Sequence, residues 1–504
     1  MEMRSIRSYY WGLGIIILLI VALYLPGIDG HYYSDDFQFV FKPLPQSPLY
    51  HFTHINTTNV MAYRPIQAAL MVMTQKYWGM STIPIHGISI LVHILMTLLV
   101  AVILKNMFFS NRIALLAAAI MAFSQVNVHA IMSNDTLSQS IGALCCLAAY
   151  ALYARFSAAG NDRDATRRYY CYLASLLFFL AALFSKETEI SAVIGISLIA
   201  VYMSFFVKYG ENSIRGVVLS LIPFILLALF YYWARSSVTQ VQAGIGDGRY
   251  QFNIGLNIFI NISQYFFAAV TPFSTVTVMS AIKTRNVLLA AGIGFCTLLY
   301  IFMLVYGFLQ NKTQTRKALL FFLLLALAIV NSFPGIALNH ISELYVYNSM
   351  PFIAALSGIG IGFTLETVSS LIRRRLILAA CIGLLGINAL SVYDKVHIMR
   401  DNGERATQII NSIRPYAESL PEHGRLVLVQ PPASSVEYSV FLINGFQILE
   451  CGLHRIKQVA DRDDISIEII DDIKNIDPGA PAYRNSLLLS LDNDTSTSVF
   501  PIRR

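Results

Sequence analysis

The sequence predicts an all-α polytopic membrane protein of about eleven spanning helices, with a small α/β domain after the last of them. Three observations carry this. Of the 504 residues, 56% are hydrophobic and only 13% are charged, against roughly 25% charged in an ordinary soluble domain. Mean hydropathy is +0.59. Apolar runs of the roughly 20 residues needed to cross a bilayer recur as far as residue 392, and the chain then turns polar.

The first run, "WGLGIIILLIVALYLPGI", follows Arg4 and Arg7. No small-x-small cleavage site follows it, so it reads as a retained span and not a removed leader. Further runs lie at 83–104, 113–131, 137–154, 170–185, 190–207, 217–234, 286–309, 318–336, 346–365 and 376–392. Between them, 254–282 is apolar but carries Asn257, Asn261, Ser263, Gln264 and Pro272. The region 237–285 is therefore expected to lie along the interface. That choice aligns Arg4/Arg7, Lys105/Arg112, Arg155/Arg163/Arg167/Arg168, Lys208/Arg215, Lys312/Arg316/Lys317 and Arg373/Arg374/Arg375 on one side, the cytoplasmic one by the positive-inside rule. The N-terminus is then cytoplasmic and the C-terminal domain extracytoplasmic. The compact tail and short loops favour a bacterial inner membrane.

Two stretches are not spans. Residues 29–82 form a long first outer loop, in which "RPIQAALMVMTQKYWGM" has the pattern of an interfacial helix. Residues 393–504 are expected to hold a helix over 395–418 and the strand-like runs "RLVLVQ" and "NSLLLSL". The domain division is thus 1–392, membrane, and 393–504, small α/β. Five of six cysteines fall in apolar runs and Cys451 stands alone in the tail, so no disulfide framework is implied. The net charge of +7 is spread over short loops, which is not a nucleic-acid signature.

The unusual polar residues gather on the outer side: Asp35, Asp36, Tyr63, Arg64, His86, His129, Asp135, Lys186, Glu187, Arg235, His340 and Glu343. Ionisable residues at such depth are functional candidates. Each also has a plainer reading. Asp35-Asp36 fits a helix N-cap with a first-turn acid, Arg64 a snorkelling interfacial arginine, and Lys186-Glu187 a local ion pair. His86 and His93 fit packing residues, since no third ligand stands at metal-binding spacing. The chain has no P-loop, no Gly-rich dinucleotide turn and no Ser nucleophile elbow. A substrate for such a site must arrive already activated, most simply on a lipid.

Four stretches, "SDDFQFVF", "AYRPIQAALMVMTQKYWGMSTIPIHGISILVHI", "FSKETEISAV" and "ELYVYNSMPFIAAL", resemble the GT-C superfamily of polyprenyl-phosphate-sugar-dependent glycosyltransferases, with the nearest likeness to the protein O-mannosyltransferase branch. The likeness covers roughly residues 10–365. It implies a GT-C-like fold and an inverting transfer of a sugar from a polyprenyl phosphate to a glycan, lipid or protein acceptor. It also implies catalysis by the acidic pair of the first outer loop, here Asp35 and Asp36. Donor and substrate contacts are expected from Arg64, Lys186, Tyr63, Glu187, His86, His129, His340 and Tyr345. No metal ligand set is expected, although the resemblance leaves a divalent cation open. The chain has Glu343-Leu344-Tyr345 where the branch often has Glu-Arg-Tyr, and no tetratricopeptide array follows. An O-antigen-type polymerase or ligase and a lipid-sugar transporter are the competing expectations. The former centres on arginines in a late outer loop, the latter on polar groups at the bilayer midplane.

Overall fold

The computed structural model describes residues 2–55, 63–107, 109–158, 165–207, 214–239, 252–310, 315–431, 439–471, 486–493 and 496–501. Arg163, Lys208 and Lys312 of the basic loops, and 240–251 of the interfacial region, lie outside these residues. A helix stands at every one of the eleven apolar runs. They are α1 (Glu2–Tyr24), α3 (Ile83–Asn106), α4 (Asn111–Phe123) with α5 (Val128–Met132), α6 (Leu137–Ala158), α7 (Ala165–Ser185), α8 (Ala192–Tyr202), α9 (Ile214–Val238), α12 (Val287–Gln310), α13 (Thr315–Asn331), α14 (Met350–Thr367) and α15 (Leu371–Ser419). Among the described residues nine helices are long and apolar enough to cross a membrane unbroken. The α4–α5 pair is bent by 47°, and the apolar stretch of α13 is short. The 254–282 segment is also helical, but α10 (Leu256–Val270) and α11 (Thr275–Lys283) meet at 113°. Pro272 falls in the break, and Ser274 caps α11 by accepting from the Val276 amide. The segment therefore does not cross as a straight helix.

Helix α2 (Pro65–Trp78) fills the long first loop as expected. Pro65 occupies the first turn, where its missing N–H costs nothing. Pro65, Ala68, Met71, Val72 and Gln75 are buried on one face, while Met73, Tyr77 and Trp78 stay exposed. The 3,10 helix Ser34–Phe39 carries the Asp pair, and Ser34 enters it with φ of 50°. That left-handed conformation disfavours a side chain, and it sets the direction of the two aspartates that follow.

The expected span over 376–392 and the expected tail helix over 395–418 form one continuous helix, α15, of 49 residues. At about 1.5 Å per residue it is roughly 74 Å long, more than twice the bilayer core of about 30 Å, so its C-terminal half projects. That half buries Val392, Val396, Met399, Ala406, Ile409, Ile413 and Ala417 at helical spacing. Gly403 lies so close to the His31 backbone that any Cβ would collide with it. The first loop is thereby pinned against the projecting helix.

The tail folds as a four-stranded sheet in the order β2 (Ser466–Ile470), β1 (Arg425–Val429), β3 (Ser486–Leu491), β4 (Val499–Pro501). Strand β1 pairs in parallel with both neighbours, and β4 is antiparallel to β3. Helix α16 (Leu453–Ala460) packs against α15, buried through Ile456 and Ala460. Leu426 and Leu428 face the main core; Val427, Val429 and Leu488 form a smaller cluster on the other face of the sheet.

Candidate functional site

The chain direction of each helix gathers the polar residues at one end of the bundle. Asp135 precedes α6 while Arg155 sits near its far end, and Arg167 and Arg168 open α7 while Lys186 follows its last residue. The basic loops and the acidic pair therefore occupy opposite ends.

Asp36 is 1% exposed and its carboxylate is saturated. Oδ1 accepts from the Ser133 hydroxyl at 2.9 Å and from the backbone amides of Asn134 at 2.7 Å and Asp135 at 3.0 Å. Oδ2 accepts from Asn134 Nδ2 at 3.0 Å. Ser133 Oγ also stands 2.7 Å from Asp135 Oδ1. One hydroxyl proton lies between two carboxylates, and burial together with the Asp135 charge pushes the Asp36 carboxyl up to about 7, against the pull of its donors. The turn itself is held from α2, where Gln67 Nε2 donates to the carbonyls of Asn134 at 3.1 Å and Asp135 at 2.6 Å.

Asp35 has a different environment. It is only partly buried, and its Oδ1 accepts from Gln38 Nε2 at 3.1 Å and from the Cys451 thiol at 3.2 Å. Burial and the neighbouring Asp35 charge push that thiol up to about 12, so it remains an S–H donor. Gln38 Nε2 also reaches Cys451 Sγ at 3.3 Å.

Arg64 makes a forked ion pair with Glu187, Nε to Oε2 at 3.1 Å and Nη2 to Oε1 at 2.8 Å. The fork expected to meet a donor phosphate is thus already occupied, because a planar carboxylate matches it edge to edge. Among the described residues the remaining nitrogen, Nη1, has no bonded partner. Glu187 takes Arg64 and leaves Lys186, which is 3% exposed and whose ammonium makes no hydrogen bond within the described residues. Burial, then the nearby Arg64 charge, holds the Lys186 ammonium down at about 8.

The remaining predicted residues divide. His129 is buried within the fields of Asp135, Glu343, Lys395 and Lys186, its ring edge-on to Phe441 at 6.1 Å. The Tyr63 hydroxyl donates to the Phe52 carbonyl at 2.9 Å, and its ring packs on Tyr231 and Phe184, so it positions the backbone of Arg64. Tyr345 lies within the field of Arg64, and His340 packs edge-on against it at 6.3 Å. His86 is set apart. Its Nδ1 meets the Ile28 carbonyl at 3.0 Å, tying α3 to the segment that follows α1. Asp135 lies within the field of Asp36, Arg64, Lys186 and His129 alike, which makes the carboxylates and the cations one cluster.

Sequence reasoning missed several members. Ser133 and Asn134 carried a signal, a cap-rich run directly before a span. Lys395 carried none, since it stands in the mixed polar run "YDKVHIMR". It is fully buried, 2.7 Å from Glu343 Oε2 and 2.5 Å from Gln125 Oε1, with its ammonium 4.6 Å from the centre of the Phe441 ring. Thr275 Oγ1 completes this node on Glu343 at 2.9 Å. Gln38 and Cys451 carried none.

Among the described residues no group of three or more His, Cys, Asp or Glu side chains is placed to hold a metal ion.

No family model and no curated protein matches the chain. Solved structures do. ArnT from Cupriavidus metallidurans bound to undecaprenyl phosphate superposes with a TM-score of 0.50 at 11% identity, covering 95% of this chain and 92% of that one. The apo state of the same protein gives 0.50 and 11% over 96% and 94%. The archaeal oligosaccharyltransferase AglB from Archaeoglobus fulgidus, in complex with an inhibitory peptide and a dolichol-phosphate, gives 0.47 and 13% over 93% and 64%. The fold is GT-C-like. At this identity the likeness extends to the fold and no further.

Proposed function

We propose that the chain is an inverting glycosyltransferase that moves one sugar from a polyprenyl phosphate to an acceptor hydroxyl or amine. The observation that carries this reading is the contrast within one cluster: Asp35 is partly open and oriented, Asp36 is saturated, and Lys186 is a nearly dry cation without a described partner. A prenyl phosphate sugar brings one anionic phosphate to the membrane surface, and Lys186 meets it with Arg64 Nη1 beside it. Arg64 also acts through charge, since its proximity makes Lys186 a better anion seat than a lone lysine.

Asp35 is the base. It takes the acceptor proton as the acceptor oxygen or nitrogen bonds to the anomeric carbon, and the carbon–phosphate oxygen bond breaks on the opposite face. The electron pair leaves with the prenyl phosphate, which needs no general acid because phosphate is a good leaving group. The two-carboxylate acid/base arrangement of glycosidases is therefore unnecessary. Asp36 serves instead as the anchor that fixes the turn 133–135 beneath Asp35.

The likeness to ArnT, whose structure holds undecaprenyl phosphate, supports a prenyl carrier. The likeness of motifs to the O-mannosyltransferase branch supports a single-sugar donor. The sidedness of the basic loops supports an active site and a tail outside a bacterial inner membrane. Glycan, lipid and protein acceptors all fit a site of this kind.

The test is turnover of a synthetic prenyl phosphoryl hexose by the purified chain in nanodiscs with a panel of acceptors. Asp35→Asn should lower transfer by about 10²–10⁴-fold, the usual contribution of a positioned base, with donor binding unchanged. Near-wild-type turnover in that variant would refute the assignment.

A further inference from the structure

Three carboxylates near the site stand in three different settings. Glu187 is locked to the Arg64 guanidinium, and Asp36 is saturated by four donors. Asp35 is met by neutral groups. Gln38 Nε2 at 3.1 Å and the Cys451 thiol at 3.2 Å both reach its Oδ1, and Gln38 Nε2 lies 3.3 Å from Cys451 Sγ. Amide, thiol and carboxylate thus close a ring of contacts, in which each bond polarises the next.

Local geometry explains the ring. In a 3,10 helix residues i and i+3 eclipse, so Gln38 stands over Asp35 on Ser34–Phe39. At 3.0 residues per turn Asp36 points about 120° away, toward the turn 133–135 that holds it. Cys451 arrives from the tail and is partly buried. Its neighbour Gly452 lies against the Phe37 ring too closely to admit a Cβ without a shift. That contact sets how far the thiol enters.

Donor strength decides what such a ring can do. A base must stay ionised before the reaction and still take a proton during it. A guanidinium partner would hold the charge too firmly to give way. An amide N–H is a neutral donor and an S–H a weak one, and bonds of either kind to the charged form favour that form. The titratable groups around Asp35 are Tyr33 and the adjacent Asp36 on its own segment, and Cys451 and Glu450 on the tail. Burial raises Tyr33 and pushes Cys451 up to about 12, so in acidic and neutral solution only the carboxylates change charge.

We propose that Gln38 and Cys451 are positioning residues for Asp35, holding its carboxylate ionised and in one orientation. The inference rests on the reading of Asp35 as the base, and it adds that the tail completes that base with a thiol.

The experiment is infrared spectroscopy of the full chain in nanodiscs, where S–H stretching bands are free of other protein absorption. The difference between wild type and Cys451→Ser isolates the Cys451 band from those of the other cysteines. A carboxylate is a stronger acceptor than an amide, so the band should lie at lower frequency in wild type than in Asp35→Asn. As pH falls and Asp35 takes a proton, the wild-type band should rise in a step that Asp35→Asn lacks. Gln38→Met should move that step to higher pH by about one unit, a tenfold change in proton affinity. In turnover of prenyl phosphoryl hexose, Gln38→Met and Cys451→Ala should each lower kcat on the order of tenfold, with the donor KM unchanged. Cys451→Ser, which keeps a donor, should recover most of the loss. A band that ignores both pH and Asp35→Asn overturns the proposal, and that readout needs no variant of Gln38. A Gln38→Met step at the wild-type pH, or wild-type kcat in both Gln38→Met and Cys451→Ala, overturns it equally. A normal infrared response in a chain that transfers no sugar leaves the hold on Asp35 standing and removes the transferase reading.

Discussion

If Lys186 holds the donor phosphate, donor affinity must titrate with it. The ammonium is 3% exposed, and burial and Arg64 hold it at about 8. It is then about 90% charged at pH 7 and about 10% charged at pH 9, where an ordinary lysine near 10.4 is still almost fully charged. Donor affinity should fall about tenfold over that interval, or about 1.4 kcal/mol. The probe must be the phosphoryl hexose, a diester whose charge is constant there. A bare prenyl phosphate is a monoester with a second pKa near 6, and its own charge would confuse the profile. Binding calorimetry in two buffers of different ionisation enthalpy reads the effect twice, as a rise in Kd and as a proton taken up above pH 8. Lys186→Arg keeps its charge throughout and should give a flat profile. Lys186→Met should cost about 1.5–3 kcal/mol of donor binding at pH 7. For the unliganded protein the sign is opposite. The folded state holds fewer protons than the unfolded one between about 8 and 10.5, so stability rises with pH across that window. A flat wild-type affinity from pH 7 to 9, or a Lys186→Arg profile as steep as wild type, refutes the reasoning.

Other consequences follow from the anchors. Asp36→Asn places an amide where four donors converge on a carboxylate, so the thermal midpoint should drop by the equivalent of about 1–3 kcal/mol, whereas Asp35→Asn should melt near wild type; equal midpoints for the two would undo the division of roles. Because the Asp36 pKa is raised, its contribution to stability is complete below about 3.8 and is lost as pH rises through about 7. Asp135→Asn removes the second cause of that rise after burial, and should make the fall of melting temperature between pH 4.5 and 7 shallower; parallel curves would show that Asp135 does not act on Asp36. Lys395→Met leaves Glu343 buried without its cation and should destabilise by about 3–5 kcal/mol, while Lys395→Met with Glu343→Gln should recover most of it. Denaturant unfolding of wild type, Lys395→Met, Glu343→Gln and the double variant decides this, and additive losses would contradict a pair.

The membrane architecture was legible because hydropathy and bilayer thickness demand the same length. Every apolar run became a helix, and Pro65 and the pattern that follows it marked α2. The polar half of α15 was legible as a helix but not as a continuation. "DKVHIMRDNGER" breaks the hydropathy profile at the membrane boundary, yet nothing in it breaks backbone hydrogen bonding. The Asp pair was visible as a pair. Its division of roles was not, because Asp36 is held by residues 97 to 99 positions away and Asp35 by one 416 positions away. Glu187 was read beside Lys186 because they are adjacent in sequence, whereas the fold turns it to Arg64, 123 positions away. Pattern reading recovers what local periodicity encodes; partners brought together by the fold leave no local trace.

That distance also bears on what the tail is for. A module added to a complete membrane enzyme would touch it at its own edge. Here its residues enter the candidate site. Tyr33, two positions before Asp35, donates to the Val440 carbonyl at 3.2 Å, and Asn402 of α15 donates to the same oxygen at 3.0 Å. Gly452 lies against the Phe37 ring so closely that no larger residue fits without a shift. Phe441 lies beneath the Lys395 ammonium and beside His129, and Cys451 bonds to Asp35. The Asp-bearing helix is thus clamped between the turn 133–135 on the bundle side and the segment 440–452 on the tail side. Because α15 is a single helix rooted in the bundle, both walls are fixed to one frame. The geometry of Asp35 is consequently a property of the whole chain, and the tail is as much a part of the proposed catalytic centre as the loop that carries the acids.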